Sequence, residues 1–417
     1  MIACVLGLAL IAGGAVFALN LASDDSGSGG ADGGDVPSSA LDVAWKSDVL
    51  PRSTASSTTT VSWPGRWNAQ STLVYGDEHG VRGYDIGSGE EKWKVEPPKG
   101  AGEPCAMSPE ASSNGVGAVL FDAGGDECAY LAAVDIDAGS VLWSKKLSPE
   151  YGENGAQVYA GTEHITVGLN TIDPVQMFDV QTGASADPFA DAEIDCKYNY
   201  IFSAQHIVAK PECRDELVVL DTQYGGPGVT VSGQQGKPLK VLSDHPLTVA
   251  VDSGESESSS PRVLNFAKDG ETAKSVDLTG KAADIVFRDK GNGITGNGLY
   301  FGKLRDGDNA VLDLQSGKVV WEGGGTGTAF IGYDDASKRM VLAEDDPEKG
   351  YWTRVGALDP KTGKLEYAGT MVMPDGTYLS GVGALYGYTT GKVLAIGGRN
   401  SDNKRMVVAY SVDLPEK

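Results

Sequence analysis

Histidine and cysteine are scarce in this chain, four and five in 417 residues, and their spacing withholds most of the chemistry they support. His79, His164, His206 and His245 form no HxxxH-type ligand pair. Cys105, Cys128, Cys196 and Cys213 are too widely spaced for a CxxC metal or redox motif, and no two cysteines are adjacent. No Gly-x-Ser-x-Gly elbow offers a nucleophile. Gly323-Gly-Gly-Thr-Gly327 lacks both the Gly-Lys-Ser/Thr ending and the following helix of a phosphate loop, and reads as a connection between repeats. The acidic runs Asp306-Gly-Asp-Asn309 and Asp345-Asp-Pro-Glu348 read as solvated turns rather than calcium sites. Basic residues are outnumbered 34 to 57, and the net charge of −23 repels nucleic acid and anionic lipid headgroups. These absences lead to an expectation of no catalytic, cofactor-binding or metal-binding residues.

The first 22 residues carry no charged side chain, and as a helix they would span the hydrocarbon core of a bilayer. They open without the basic residues of a cleavable signal, so 1–22 is expected to be a transmembrane helix or an uncleaved signal anchor. Residues 23–40, rich in Gly, Ser and Asp, have almost nothing to bury and read as a flexible linker. Residues 41–417 follow as one continuous domain. Its 57 glycines and its many Asp, Ser and Thr residues favour short strands joined by turns, and no long amphipathic helix stands out.

Internal repetition decides the expected fold. Asp85, Gly89 and Trp93 recur as Asp135, Gly139 and Trp143, and again as Asp313, Gly317 and Trp321, always as Asp-x-x-x-Gly-x-x-x-Trp. Asp179 and Gly183, like Asp221 and Gly225, keep the first half of the pattern, while Asp359 and Gly363 are followed by Tyr367 in place of Trp. A degenerate copy begins near Asn265 and a truncated one ends at Asp413. The copies lie about 42 to 52 residues apart, the length of a four-stranded propeller blade. Each motif sits between two short apolar runs, as in a hairpin whose Asp caps the turn and whose Gly takes a positive φ. Upstream segments such as Thr72–Tyr75, Gly117–Phe121 and Leu299–Phe301 are expected to supply the inner strands. The result is an all-β, eight-bladed β-propeller of four-stranded blades. Its last unit lacks a fourth strand, so Val43 to Ser47 is expected to pair with it and close the ring, with Trp45 as that blade's docking indole.

The repeat resembles the tryptophan-docking motif of the pyrroloquinoline-quinone (PQQ) type eight-bladed propellers, over nearly all of residues 41–413. That resemblance implies that Trp93, Trp143 and Trp321 pack between neighbouring blades. The family includes quinoprotein dehydrogenases and the BamB-type outer-membrane assembly lipoproteins, so it implies a fold more than a function. The adjacent cysteines that such dehydrogenases stack on their cofactor are missing here, which places the chain with the non-dehydrogenase branch.

The expected function is a non-enzymatic binding or scaffold module on the cell membrane: single-pass, monomeric, with its propeller outside the cytoplasm and a protein or cell-wall ligand as partner. Two alternatives are a PQQ-dependent dehydrogenase and a sensory ectodomain acting with a membrane kinase. An oxidising compartment lets Cys105 pair with Cys128 and Cys196 with Cys213, each bond contributing about 3 kcal/mol. Thiol titration of the purified chain, denatured without reductant, is expected to leave all four unreactive; four reacting thiols would sink the pairing.

Overall fold

The structure is a computed structural model that describes residues 39–47, 66–69, 71–77, 79–123, 127–152, 156–169, 175–186, 198–203, 205–221, 229–232, 236–252, 261–267, 273–288, 295–296, 298–304, 306–323, 328–334, 336–346, 352–372, 385–389, 391–397 and 406–415. Residues 1–22 and nearly all of 23–40, together with Cys196 and Gly225, lie outside them. Among the described residues no helix is long and apolar enough to cross a membrane.

The described strands form eight antiparallel sheets of four, designated I to VIII: 66–95, 104–152, 156–186, 198–232, 238–277, 295–323, 328–371 and 385–411. In I to VII each strand pairs with the next in chain order. Sheet VIII takes its fourth strand, Val43–Lys46, from the other end of the domain, paired antiparallel with Met406–Ser411. First strands of neighbouring sheets run side by side, as Pro104–Met107 does with Ala156–Ala160 and Thr328–Asp334 with Leu385–Thr389. They therefore ring a central axis, and the fourth strands form the rim. This is an eight-bladed β-propeller.

Second and third strands lie between two neighbouring sheets, so both of their faces are apolar; Thr72–Asp77 is buried along its whole length. That explains one correction. Thr72–Tyr75, Gly117–Phe121 and Leu299–Phe301 belong to second strands, not innermost ones. The true first strands, such as Arg66–Ala69, Pro104–Met107 and Thr295–Gly296, border the channel and carry no long apolar run that would reveal them. Cys105 lies within the first strand of sheet II and bonds Cys128 of the third strand with Cα atoms 6.1 Å apart. Cys213 is also disulfide-bonded.

The repeat motif forms a capped turn between third and fourth strands. Oδ1 of Asp85 accepts from the Gly87 and Ser88 N–H groups at 2.9 and 2.8 Å, and Gly89 N–H closes the turn on the Asp85 carbonyl at 2.8 Å. Asp135, Asp179, Asp313 and Asp359 cap equivalent turns. Hydrogen bonds from the turn hold the carboxyls of Asp85, Asp179 and Asp359 below their usual range.

Each docking indole reaches the next sheet's turn. Trp93 Nε1 donates to the Ile136 carbonyl at 2.9 Å, Trp143 to Val180 at 2.9 Å, and Trp45 to Ile86 at 2.7 Å. The acceptor is always the residue after the capping Asp. The ring then lies on the turn glycine: a Cβ on Gly139, whose φ is +63°, would fall 2.0 Å from Trp93, so Gly is required twice over. Trp321 lies on Gly363 in the same way. A β-bulge precedes the indole in sheets I, II and VI, leaving Lys92, Leu142 and Val320 without a cross-strand partner, and a bulge re-aims the side chain that follows it.

Sheet VII departs from this pattern. Its bulge falls after Tyr367, at Ala368. Tyr367 is 43% exposed, its hydroxyl donates to Glu344, and the Arg354 guanidinium lies 4.4 Å over its ring, all within its own sheet. Sheet V has no indole, and two residues divide its work. Asn265 Nδ2 donates to the Leu314 carbonyl at 2.9 Å, and Val276 packs where a Cβ on Gly317 would come within 2.6 Å. A short helix the sequence reading did not anticipate, α1 (Lys281–Arg288), follows and buries Ala282, Ile285 and Val286 against residues of sheets V and VI.

Trp45 is 7% exposed and packs with Leu73, Tyr84 and Ile86 of sheet I and Leu394 and Val407 of sheet VIII. Trp45→Ala is expected to cost about 3–5 kcal/mol in urea unfolding. Trp45→Phe, which keeps most of the apolar contact but orphans the Ile86 carbonyl, should cost about 1–3 kcal/mol.

Candidate functional site

Antiparallel order puts the turns between first and second strands on the same face as the capped Asp turns. Backbone bonds tie the two sets together, as in Ile86 N–H to the Ser71 carbonyl and Ile136 N–H to the Gly115 carbonyl, both 2.9 Å. Since first strands surround the axis, their turns form the mouth of the central channel on this face.

At that mouth, residues from four sheets converge. Asp244 ends the first strand of sheet V (Pro238–Asp244). Its Oδ1 accepts from Ser203 Oγ at 2.5 Å, in the first turn of sheet IV, and is bonded at 2.8 Å to Nδ1 of His206, which opens that sheet's second strand. His206 N–H in turn donates to Ser203 Oγ at 3.1 Å. Tyr159, on the first strand of sheet III, meets Phe202 edge-on with ring centroids 5.3 Å apart. Burial pushes its hydroxyl up to about 12, and the negative charge of Asp244 adds to the rise.

Glu110 completes the group from the first turn of sheet II. Its side chain is exposed, yet surrounding protein holds its carboxyl above the usual range, and the charge of Asp244 raises it further. Sheets II and V are three places apart around the ring. On the far side, Asp334 ends the first strand of sheet VII and accepts from Tyr388 Oη of sheet VIII at 3.0 Å. Burial alone would raise its carboxyl, but bonds from Ser337 and Tyr388 outweigh it and hold the carboxyl low.

Ser203, His206 and Asp244 have the composition of a hydrolase triad but not its wiring. The hydroxyl and the imidazole both bond the same carboxylate oxygen, so no base sits on the serine. The arrangement is a polar link between sheets IV and V beside the Tyr159–Phe202 pair. The bonds of Asp244 to Ser203 and His206 both use Oδ1. A cationic group suits carboxylates backed by tyrosines.

The repeat residues singled out from sequence lie elsewhere. Asp85, Gly89, Asp135, Gly139, Asp179, Gly183, Asp313, Gly317, Asp359 and Gly363 form the outer turns of the same face, Asp221 ends the third strand of sheet IV (Glu216–Asp221), and the indoles fill seams. None of them reaches the mouth. Sequence reasoning missed the mouth because its members are the last residues of first strands or lie in the turns that follow, one or two per sheet. Trp67 was missed for a similar reason: it lies on a first strand, where its Nε1 donates to the Ser108 carbonyl at 2.8 Å and its ring faces Gly117. Among the described residues no three His, Cys, Asp or Glu side chains are placed to hold a metal ion.

No protein-family model matches the chain, and no curated protein matches it. Among solved structures it is similar to the computationally designed Ika8 protein, at 12% identity and a TM-score of 0.53, over 88% of this chain and 99% of the other. It is also similar to the C-terminal WD40 domain of Sif2, at 13% identity and a TM-score of 0.53, over 89% and 98%. BamB from Moraxella catarrhalis superposes more loosely, at 14% identity and a TM-score of 0.46, over 87% and 100%. At such identities the first two share the fold and nothing more specific.

Glu110 provides the test of the mouth's geometry. A carboxyl held above its unfolded value of about 4.3 weakens the fold once the pH exceeds that value, because the charged form is disfavoured only in the native state. Glu110→Gln is therefore expected to raise urea stability at pH 7 and to lose that advantage below about pH 4. By NMR, the Glu110 titration should move to lower pH in Asp244→Asn; an unmoved titration would place the two carboxyls in separate surroundings.

Proposed function

We propose that the chain is a non-enzymatic binding module that engages a protein partner through the turn face, with the channel mouth taking a cationic group such as a Lys or Arg side chain. The observation that carries this reading is the carboxylate of Asp244 at the channel mouth, fixed on one oxygen by Ser203 and His206. A rigid ring supplies a preorganised surface, and carboxylates in a partly enclosed site reward a charged donor more than exposed ones do.

On this reading residues 41–417 form one propeller, its ring closed by Val43–Lys46 on the last sheet. The repeat belongs with the PQQ-type tryptophan-docking propellers of the non-dehydrogenase branch. The docking of Trp45, Trp93 and Trp143 on the next sheet's Asp-x-x-x-Gly turn supports both statements. We further propose that residues 1–22 anchor the chain in the cell membrane as a single span, with 23–40 as a tether and the propeller outside the cytoplasm. Support comes from the uncharged N-terminal stretch and from the Cys105–Cys128 disulfide, since such bonds persist in oxidising compartments. A cell-wall ligand in place of a protein is an outcome that the test distinguishes.

Hexa-arginine peptide serves as the probe of the mouth. Fluorescence titration is expected to show binding that weakens about tenfold or more in Glu110→Gln/Asp244→Asn and is unchanged in Asp306→Asn/Asp308→Asn, a control of equal charge change away from the mouth. Equal weakening in both pairs would reduce the interaction to attraction by net charge. Binding to purified cell-wall fragments in place of the peptide would redirect the reading to a glycan.

A further inference from the structure

The seams of the ring are not equally fastened. Indoles cross from VIII to I (Trp45), from I to II (Trp93 and Trp67), from II to III (Trp143) and from VI to VII (Trp321). Between residues 144 and 320 the sequence contains no Trp, so the seams of that arc are closed by other means, as is the seam between VII and VIII, where a broad apolar cluster is joined by the Tyr388 bond to Asp334. The seam between V and VI has Asn265, Val276 and α1 in the indole's stead. The seam between III and IV has the edge-on contact of Tyr159 with Phe202. The seam between IV and V shares an aliphatic core around Leu217, Val249 and Leu264, and at the turn face Ser203 and His206 meet on one oxygen of Asp244.

A buried indole combines a large apolar contact with a hydrogen bond to a backbone carbonyl, whereas a partly exposed polar link holds two sheets weakly. Local opening starts where stabilisation is least. We propose that the seam between sheets IV and V is the hinge of the ring, with Asp244 as its catch, and that occupancy of the channel mouth regulates it. The regulatory half rests on the mouth being a binding site for a cation; the hinge itself does not. A cationic group at the mouth takes Oδ2 of Asp244 and leaves the Oδ1 bonds to Ser203 and His206 intact. It holds the carboxylate in place without breaking the link across the seam, so binding clamps the hinge.

Hydrogen exchange of the full-length chain, read by mass spectrometry, tests both halves. In the free protein, amides of Tyr198–Phe202, His206–Pro211, Pro238–Asp244 and Leu247–Val251 are expected to exchange at least about tenfold faster than those of Thr72–Asp77 and Val116–Asp122. Asp244→Asn should quicken exchange in sheets IV and V alone, and Trp93→Phe in sheets I and II alone. Ser203→Ala, which removes the serine's bond across the seam and its two bonds to the His206 backbone but leaves the carboxylate and its bond to the imidazole, is the second variant should the first fail to fold. Uniform protection around the ring, or loosening by Asp244→Asn or Ser203→Ala that spreads to sheets I and II, would overturn the hinge. Hexa-arginine is expected to slow exchange in sheets IV and V about threefold or more; unchanged exchange at a saturating concentration would overturn the clamp while leaving the hinge in place.

Discussion

An indole N–H given to the carbonyl that follows a capping aspartate, with the ring laid on a glycine four residues past that aspartate, is the contact on which this architecture turns. It joins the rim of one sheet to the outer turn of the next, so it specifies neighbour relations that an aliphatic interface alone would leave loose. Its parts depend on each other. The aspartate fixes the turn and so presents the carbonyl; the glycine supplies both the positive φ that closes the turn and the empty space that admits the ring; the bulge before the indole aims it. A substitution at any of these places acts on a seam rather than on a single sheet.

Where one part is displaced, the structure shows how much the geometry matters. Tyr367 follows Asp359 at the right distance in sequence, but its bulge falls on the wrong side and the ring stays on its own sheet, under Arg354. In sheet V the hydrogen bond and the packing are separated onto Asn265 and Val276, eleven residues apart in the chain. These two arrangements offer two answers to one requirement, and the second shows that the Leu314 carbonyl is satisfied even where no indole is available.

The legibility of the molecule follows the same division. Asp, Gly and Trp of the repeat are contiguous, so their spacing exposed the blades, their number and the pairing of Val43–Lys46 with the last sheet. First strands escaped because they border a channel and lack an apolar signature; α1 escaped because its eight residues make little more than two turns. The mouth was invisible for a deeper reason. Ser203 and Asp244 are 41 positions apart and meet only because the ring sets their sheets side by side. Aligning the repeats on the ends of their first strands, rather than on the Asp motif, is the one signal that would have grouped Ser203, Asp244 and Asp334.

Sheet VIII also sets a timetable. Ser47 and Val407 bond one another through backbone and side chain across 360 positions, so the segment around Trp45 leaves the ribosome long before its partner strand exists. At about 5–20 residues per second, the wait is on the order of tens of seconds. Throughout that interval an apolar indole and an unmatched edge remain available to any other nascent chain or to a holdase. Biogenesis, more than final stability, is therefore the stage at which this composite sheet leaves the protein most vulnerable.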